Sequence, residues 1–437
     1  MLPHAIFNVT YDIIIMVIIC LLFVTEVYHM SDIHYRFKYN GNFSKEVKLF
    51  ILNTFICYLV MSAFTNVLQG IYFKSLGFDE GFIGNVIAIR TLLTGLSAIP
   101  AGIMADKIGR KYAVMLGIII SFIGYIGQSI FISPWLIYFF ACVNGVGIAV
   151  IYVNEAPFLI ENCEEEKRIS LFSINFIIMQ LAFIIGSYGG GKIPELMGGQ
   201  SVIILRKAQL IFSLLALASL IPLTRIKVNR NRRSLSKVGS FFSLLKKKNI
   251  VMVVIYYMLI GFGAGLVVPF FNLFLHYKLN VGTAVVGSIM AYSQAATILG
   301  AFLVPYVSKK LGKIYTVQLC QILSIPFLIF ISFAGSVWIS TLGFFMRSAL
   351  MNMAQPALQN LTMEMVEDHE RSAMSSLISL SNHITRGISA SAAGYIMANI
   401  SYEFPYYVTA GLYVAAILLF ALIFRNEKHV VEKNISI

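Results

Sequence analysis

Thirteen stretches of about 20 predominantly apolar residues, joined by short polar segments, leave this chain few ways to fold. They run over 12–29, 48–72, 82–105, 112–131, 135–157, 169–190, 204–224, 250–275, 282–306, 314–333, 337–359, 372–398 and 404–425. A helix of about 20 residues crosses the ~30 Å hydrocarbon core of a bilayer. Inside that core every backbone N–H and C=O needs a partner within the protein, so only helices and closed barrels span it. The runs are continuous rather than alternating, which selects helices over barrel strands. With 58% hydrophobic and only 12% charged residues, the chain has too little polar surface for a soluble domain. The expected class is an all-α integral membrane protein, and the joints leave no room for a soluble catalytic domain.

The formal net charge of +13 would suit a nucleic-acid binder until the bases are located. Of 33 Lys and Arg, 25 fall in alternate joints: 4 in 30–48, 3 in 106–111, 2 in 161–168, 9 in 225–248, 3 in 308–313, 1 in 364–371 and 3 in 425–437. Five (Lys74, Lys192, Arg206, Lys207, Lys278) lie in the opposite joints, and three (Arg90, Arg347, Arg386) lie inside spans. Multi-span proteins keep such an excess on the cytoplasmic side. The charge therefore reports topology, with Cys163 and the 225–248 segment in the cytoplasm, and no nucleic-acid partner is expected. The five cysteines, Cys20, Cys57, Cys142, Cys163 and Cys320, are scattered and odd in number, which implies neither a disulfide framework nor a metal site.

Two halves of the chain align without a gap at an offset of 203 residues. Leu76 and Gly84 answer to Leu279 and Gly287, Gly109 and Tyr112 to Gly312 and Tyr315, Glu161 and Arg168 to Glu364 and Arg371, and Gly191 to Gly394. The matches land on equivalent joints and helix ends, the mark of an internal structural repeat. Six spans then belong to 47–228 and six to 250–437, separated by a basic linker at 229–249. Around that linker, 225–248 carries nine bases and no acid, and Val238, Phe241, Phe242 and Leu245 could share one apolar helical face on the membrane surface. A solvated tether is the alternative. Residues 1–46 stand outside the repeat. Their run 12–29 would be an extra helix with its N-terminus outside; initiation at Met30, the reading we favour, would leave an ordinary cytoplasmic leader.

The joint after the second span reads AGIMADKIGRKYAV (101–114) and concentrates Asp106, Lys107, Arg110 and Lys111 between two apolar stretches. A tight turn between packed helices favours Gly, and a carboxylate can cap the unpaired amides of a helix N-terminus. Gly102, Asp106, Gly109, Arg110 and Lys111 match the G-x-x-x-D-x-x-G-R-K signature of the major facilitator superfamily, which the chain resembles over 47–431. The resemblance implies a twelve-helix fold of two six-helix halves related by a pseudo-two-fold. It gives Asp106 and Arg110 the role of a cytoplasmic latch between the halves, near the eleventh helix of the repeat, with Glu161, Arg168, Glu364 and Arg371 as partners in the neighbouring loops. In the second copy Lys309 replaces the Asp, which weakens that latch. The family's fourth-helix Arg is Ala141 here, and the Pro of its fifth-helix exchanger motif is Ser187.

Ionisable side chains inside a membrane are costly and mark pathways by default. Five lie in the repeat's spans: Arg90, Glu155, Arg347, His383 and Arg386. The resemblance places their helices around a central cavity. Arg90, Thr94 and Ser97 fall on one helical face, as do Ser379, His383, Arg386 and Ser389. The repeat pairs Asn144 with Arg347 and Gln180 with His383, so each half sets polar groups at similar depth, as for a midplane site. Glu155, the one acid inside these spans, is the candidate proton carrier, with Arg90 as a partner that pairs with it in one state and releases it in the other. The alternatives are structural: Glu155 snorkels or pairs with a loop base, Asn144 and Arg347 lock the halves, and His383 is packed.

The sequence thus predicts a secondary transporter of the plasma membrane that moves a small molecule by alternating access. The expected activity is proton-coupled efflux of a small organic compound, with uptake or exchange of an anionic solute as the alternative. It needs the lipid bilayer, acts as a monomer, and uses no cofactor beyond the proton gradient. A membrane enzyme would require a constellation of catalytic groups that the spans lack. A non-transporting sensor would require an output domain.

Overall fold

The computed structural model describes residues 43–227, 244–333, 335–367 and 370–424. The run 12–29, Met30, and Val238, Phe241 and Phe242 of the linker lie outside the described residues. The first six helices are α1 (Lys45–Ser75), α2 (Glu80–Leu96 followed by Ala98–Ile108), α3 (Arg110–Ile130), α4 (Pro134–Glu161), α5 (Arg168–Leu196) and α6 (Val202–Thr224). The second six are α7 (Lys248–Lys278), α8 (Thr283–Leu311), α9 (Lys313–Phe333), α10 (Val337–Met353 followed by Gln355–Glu364), α11 (Arg371–Asn399) and α12 (Phe404–Ile423). Nine described helices are long and apolar enough to cross a membrane, ten with the bent α2. The other two, α10 and α11, miss that mark because one is broken at Ala354 and the other carries the Ser, Asn, His and Arg stripe.

Each break has a local cause. α2 bends by 49° at Ser97, where the ring of Pro100 conflicts with the carbonyl four residues earlier, at Leu96. Pro356 follows the break in α10, and Pro269 sits in the short tight turn Val268–Phe270 of α7. The turns after α2 and α8 are single glycines, Gly109 (φ 95°) and Gly312 (φ 77°), repeat mates in a backbone region closed to most other residues.

The repeat governs the packing as well. Arg110 meets Glu161 at 3.4 Å across α3 and α4, and Lys313 meets Glu364 at 2.7 Å across α9 and α10, the same brace 203 residues on. The outer surface is apolar. Trp135 and Trp338, also repeat mates and the only two tryptophans, are each 80% exposed at the starts of α4 and α10. That is where interfacial aromatic anchors sit.

The first and second halves meet along α2 and α11 and along α5 and α8, with their closest approaches toward one end. We call the end bearing the linker the linker face and the other the far face. Hydrogen bonds that cross between the halves include Asn272 to the Val67 carbonyl (3.0 Å), Ser391 to Asn85 (2.5 Å), and Tyr402 to Glu80. All lie toward the far face. There α2 packs along the end of α11 and the end of α5 along the start of α8. The closest approaches are glycine on glycine: Gly84 on Gly394, and Gly191 on Gly287. These four are two repeat pairs, so one contact is the pseudo-two-fold image of the other. The linker-face segment Ala98–Ile108 packs on α3 and α4 of its own half. The tightest packing between the halves is therefore at the far face.

Candidate functional site

Glu155 lies on α4, toward the linker face. Its carboxylate accepts hydrogen bonds from the Tyr58 hydroxyl of α1 (2.8 Å) and from the Asn175 amide of α5 (2.7 Å). Both partners are neutral. A narrow crevice between α1, α3, α4 and α6 reaches the carboxylate, lined by Thr54, Cys57, Ile118, Tyr152 and Ser219 among others. Neither Tyr58 nor Asn175 stood out in the sequence, because a Tyr or Asn in an apolar run has no partner visible until the helices are assembled.

Arg90 does not pair with Glu155. Its guanidinium donates to Gln69 of α1 (2.6 Å), and the Gln69 amide donates to Gln128 of α3 (2.5 Å). Depth explains the correction. The carbonyl of Arg90 lies against Gly145, ten residues before Glu155 on α4, which is about 15 Å of helix rise. The two-state pairing of Arg90 with Glu155 is therefore absent from this structure. Gln69 and Gln128 were a missed signal: an amide in an otherwise apolar span is costly unless bonded, and these two satisfy each other.

Asn144 is also displaced from its expected place. It is fully buried against α3, where its amide donates to the Ser121 carbonyl (3.2 Å), and its backbone lies against Gly124. It braces α4 on α3 within one half and faces no cavity. Gln180 is buried on α5.

In the second half, Arg347 of α10 is buried, donates to the Tyr413 hydroxyl of α12 (3.3 Å) and lies over the Phe271 ring of α7 (5.2 Å). Its Nε has no hydrogen-bond partner. Arg386 of α11 has its backbone packed against Gly265 of α7. His383, one turn earlier, packs its Cβ against Gly95 of α2. The face of α2 that meets α11 is formed by Gly84, Ala88, Leu92 and Gly95, whereas Arg90 lies on the other face of α2 and reaches Gln69 of α1.

The motif at the linker face is held within its own half. Asp106 and Arg110 form an ion pair (2.6 Å), and Arg110 also donates to Asn154 of α4 (3.0 Å). Lys111 donates to the carbonyl of Ile226 (2.8 Å), tying α3 to the chain after α6. Asp106 does not cap α3, whose N-terminus begins at Gly109 without a side-chain cap. Gly102 sits beside Val153. Arg371 donates to the Met363 carbonyl, and Arg168 opens α5. Asp106 stands in the half that would carry a latch when the linker face closes. Asp106→Asn is then expected to slow transport severalfold by shifting the gate while leaving substrate affinity within about twofold. Thermal stability should change by no more than about 1 kcal/mol, the worth of a partly exposed ion pair. Spin-label distances across the linker face check it; unchanged distance populations would remove Asp106 from the gate.

A buried carboxylate marks the far face. Glu80 pairs with Lys74 (2.6 Å) and accepts from Tyr402 across the halves. Its position at a helix start hid it from a search for acids inside spans.

Comparison with known proteins agrees with this architecture. The sequence model of the Major Facilitator Superfamily matches residues 50–314 and 253–436. The MFS-type transporter YhhS of Escherichia coli (strain K12) is 23% identical over 397 residues, covering 87% of this chain and 93% of that protein. Among solved structures, the nucleoside transporter NupG superposes with a TM-score of 0.71 at 17% identity, over 87% of this chain and 99% of that one. A bacterial homologue of the human lysosomal transporter Spinster, in an inward-facing and occupied conformation, gives 0.72 at 15% identity, over 87% and 96%. Two six-helix halves in pseudo-two-fold relation, polar groups buried at their seam and a match along most of the chain lead to one conclusion: this chain belongs to the major facilitator superfamily and is a multi-pass membrane transporter.

Proposed function

We propose that the protein is a proton-coupled exporter of a small organic compound. In this reading it lies in the plasma membrane with its linker and C-terminus in the cytoplasm, and it works as a monomer by alternating access. The observation that carries the reading is Glu155, a carboxylate held by two neutral donors, Tyr58 and Asn175, with no cation in ion-pair distance among the described residues. Without a fixed cation nearby, a proton can load and leave without breaking an ion pair. The crevice beside Glu155 supplies a route for that proton from the linker side. The family-defining motif around Asp106 and Arg110 supports the gating half of the cycle. Uptake or exchange of an anionic solute is the second reading, favoured by the three arginines at depth.

The test uses the purified full-length protein in liposomes loaded with a pH-sensitive dye. A panel of small organic solutes is added outside, with and without an imposed pH gradient. A transported solute should change the internal pH, and collapsing the gradient should abolish its accumulation. A solute that accumulates equally without a gradient and moves no protons would rule out proton coupling.

A further inference from the structure

Glu155 takes both of its hydrogen bonds from helices of its own half, so relative motion of the halves need not disturb it. Glu80 differs. It opens α2 at the far face, is 4% exposed, pairs with Lys74 at the end of α1 (2.6 Å), and accepts from the Tyr402 hydroxyl, which belongs to the second half. Tyr402 is anchored in turn, because the next residue, Glu403, pairs with Lys278 at the end of α7. Lys74 and Lys278 are two of the five bases in the joints opposite the linker, and both are engaged by these two acids. Further along the same contact, Ser391 of α11 donates to Asn85 of α2 (2.5 Å).

The pseudo-two-fold image of this contact is built without charge. The repeat mates of Glu80 and Asn85 are Thr283 and Ser288, and those of Ser391 and Tyr402 are Tyr188 and Gly199. Thr283 is fully buried with an unpartnered hydroxyl, and the Ser288 hydroxyl donates to Ala284 of its own helix (2.8 Å). The glycine contacts are thus duplicated in the two seams, whereas the acid is placed in one of them. Close packing does not call for a carboxylate there, since α5 and α8 approach as closely without one.

A hydrogen bond to an ionised acceptor is roughly twice as strong as one between neutral groups. Parting the halves at the far face takes Tyr402 away from Glu80, and protonating Glu80 removes the charge on which both of its contacts depend. Each event therefore favours the other, by the reciprocity of linked equilibria. We propose that Glu80 is a second proton-responsive carboxylate of the transport cycle, which latches the far face through Tyr402 when charged and releases it when protonated. The inference rests on the alternating-access reading above and adds a residue to it. The ionisable groups around Glu80 are Lys74 on α1, Asp79 beside it, Tyr277 and Lys278 at the end of α7, and Tyr402 and Glu403 ahead of α12. Asp79 is taken up in capping α2 through the Phe82 amide (2.7 Å), and Glu403 has its own lysine, so Glu80 is the acid that ties one half to the other. As the pH falls, its charge is lost and the far face opens.

The test measures spin-label distances across the far face of the full-length protein in lipid nanodiscs, from about pH 8 to about pH 4, a range that takes a glutamate from charged to neutral. The parent should pass from short to long distances as the pH falls, and Glu80→Gln should hold the long distances throughout. Tyr402→Phe keeps the Lys74–Glu80 pair and removes the bond between the halves. At neutral pH it should raise the open population by about tenfold or more, the worth of a hydrogen bond to a charged group, and it should flatten the pH response. Glu80→Gln combined with Tyr402→Phe should open the face no further than Glu80→Gln alone, a non-additivity that general destabilisation does not produce. A parent whose distances are flat in pH, a Glu80→Gln protein that responds as the parent does, or a double variant whose effects add would overturn the latch. Should Glu80→Gln not fold, Tyr402→Phe decides by the same pH comparison. Proton-driven accumulation through Glu155 is scored in the liposome assay, so coupling there can stand while the latch falls.

Discussion

Alanine at Gly84 and Gly191 together is expected to reduce transport to less than about a tenth and to bias the protein toward a far-face-open state. A Cβ at Gly84 would lie 2.6 Å from the Ala390 carbonyl oxygen and 3.0 Å from the Gly394 Cα; at Gly191 it would lie 2.9 Å from the Gly287 Cα. The obstructing atoms are backbone, so no rotamer change relieves the clash. Forcing a methyl group into such a contact costs about 1–3 kcal/mol. The two contacts are pseudo-two-fold images on separate helix pairs, so their costs should add. A shift of that combined size moves a two-state population by more than about tenfold. The penalty falls only on the state in which the far face is closed, since opening that face separates α2 from α11 and α5 from α8. Spin-label pairs across the far face should lengthen and pairs across the linker face shorten, with a cooperative melt retained. Unchanged distances on both faces would show that the glycine contacts are incidental to gating.

Glu155→Gln is expected to abolish accumulation driven by a pH gradient while leaving solute binding and solute-for-solute exchange. Glutamine imitates the protonated carboxyl and cannot release a proton, so the cycle loses its coupled step. The amide oxygen can accept from Asn175 while its NH2 group donates to the Tyr58 hydroxyl oxygen, so both contacts have a counterpart and stability should change by less than about 1 kcal/mol. Uphill transport in the variant at the parent rate would remove Glu155 from the mechanism and leave His383, packed on Gly95 at the seam, as the next ionisable candidate. Tyr58→Phe is the useful companion: it removes a donor and keeps the titratable group.

Much of the architecture was legible because it rests on local properties. Apolar runs of membrane-spanning length locate the helices, and the asymmetry of Lys and Arg separates the joints into two sets. The offset of 203 anticipates the repeat-matched Gly109 and Gly312 turns and the paired braces Arg110–Glu161 and Lys313–Glu364. The candidate site was legible only as a set of costly residues. Of these, His383 packs on Gly95 of the opposite half, while Arg90 and Arg347 are bonded within their own halves, to Gln69 and Tyr413. Asn144 shared their depth and was still misplaced. Helical spacing assigns a residue to a level and a face of its own helix, but not to the neighbour that face meets.

What the sequence by itself determined is therefore the order and approximate extent of the twelve described helices, and which side chains are too polar for lipid. Each follows from hydropathy, charge and period along a short stretch of chain. Only the tertiary structure decided that Glu155 is held by Tyr58 and Asn175 rather than by Arg90, that Arg90 is held by Gln69, and that the halves pack most closely at Gly84–Gly394 and Gly191–Gly287. Those outcomes depend on the rotation and tilt of helices packed against partners far away in the chain. A few tenths of an ångström at a glycine contact, or one turn along α4, reassigns a partner without changing a single local preference.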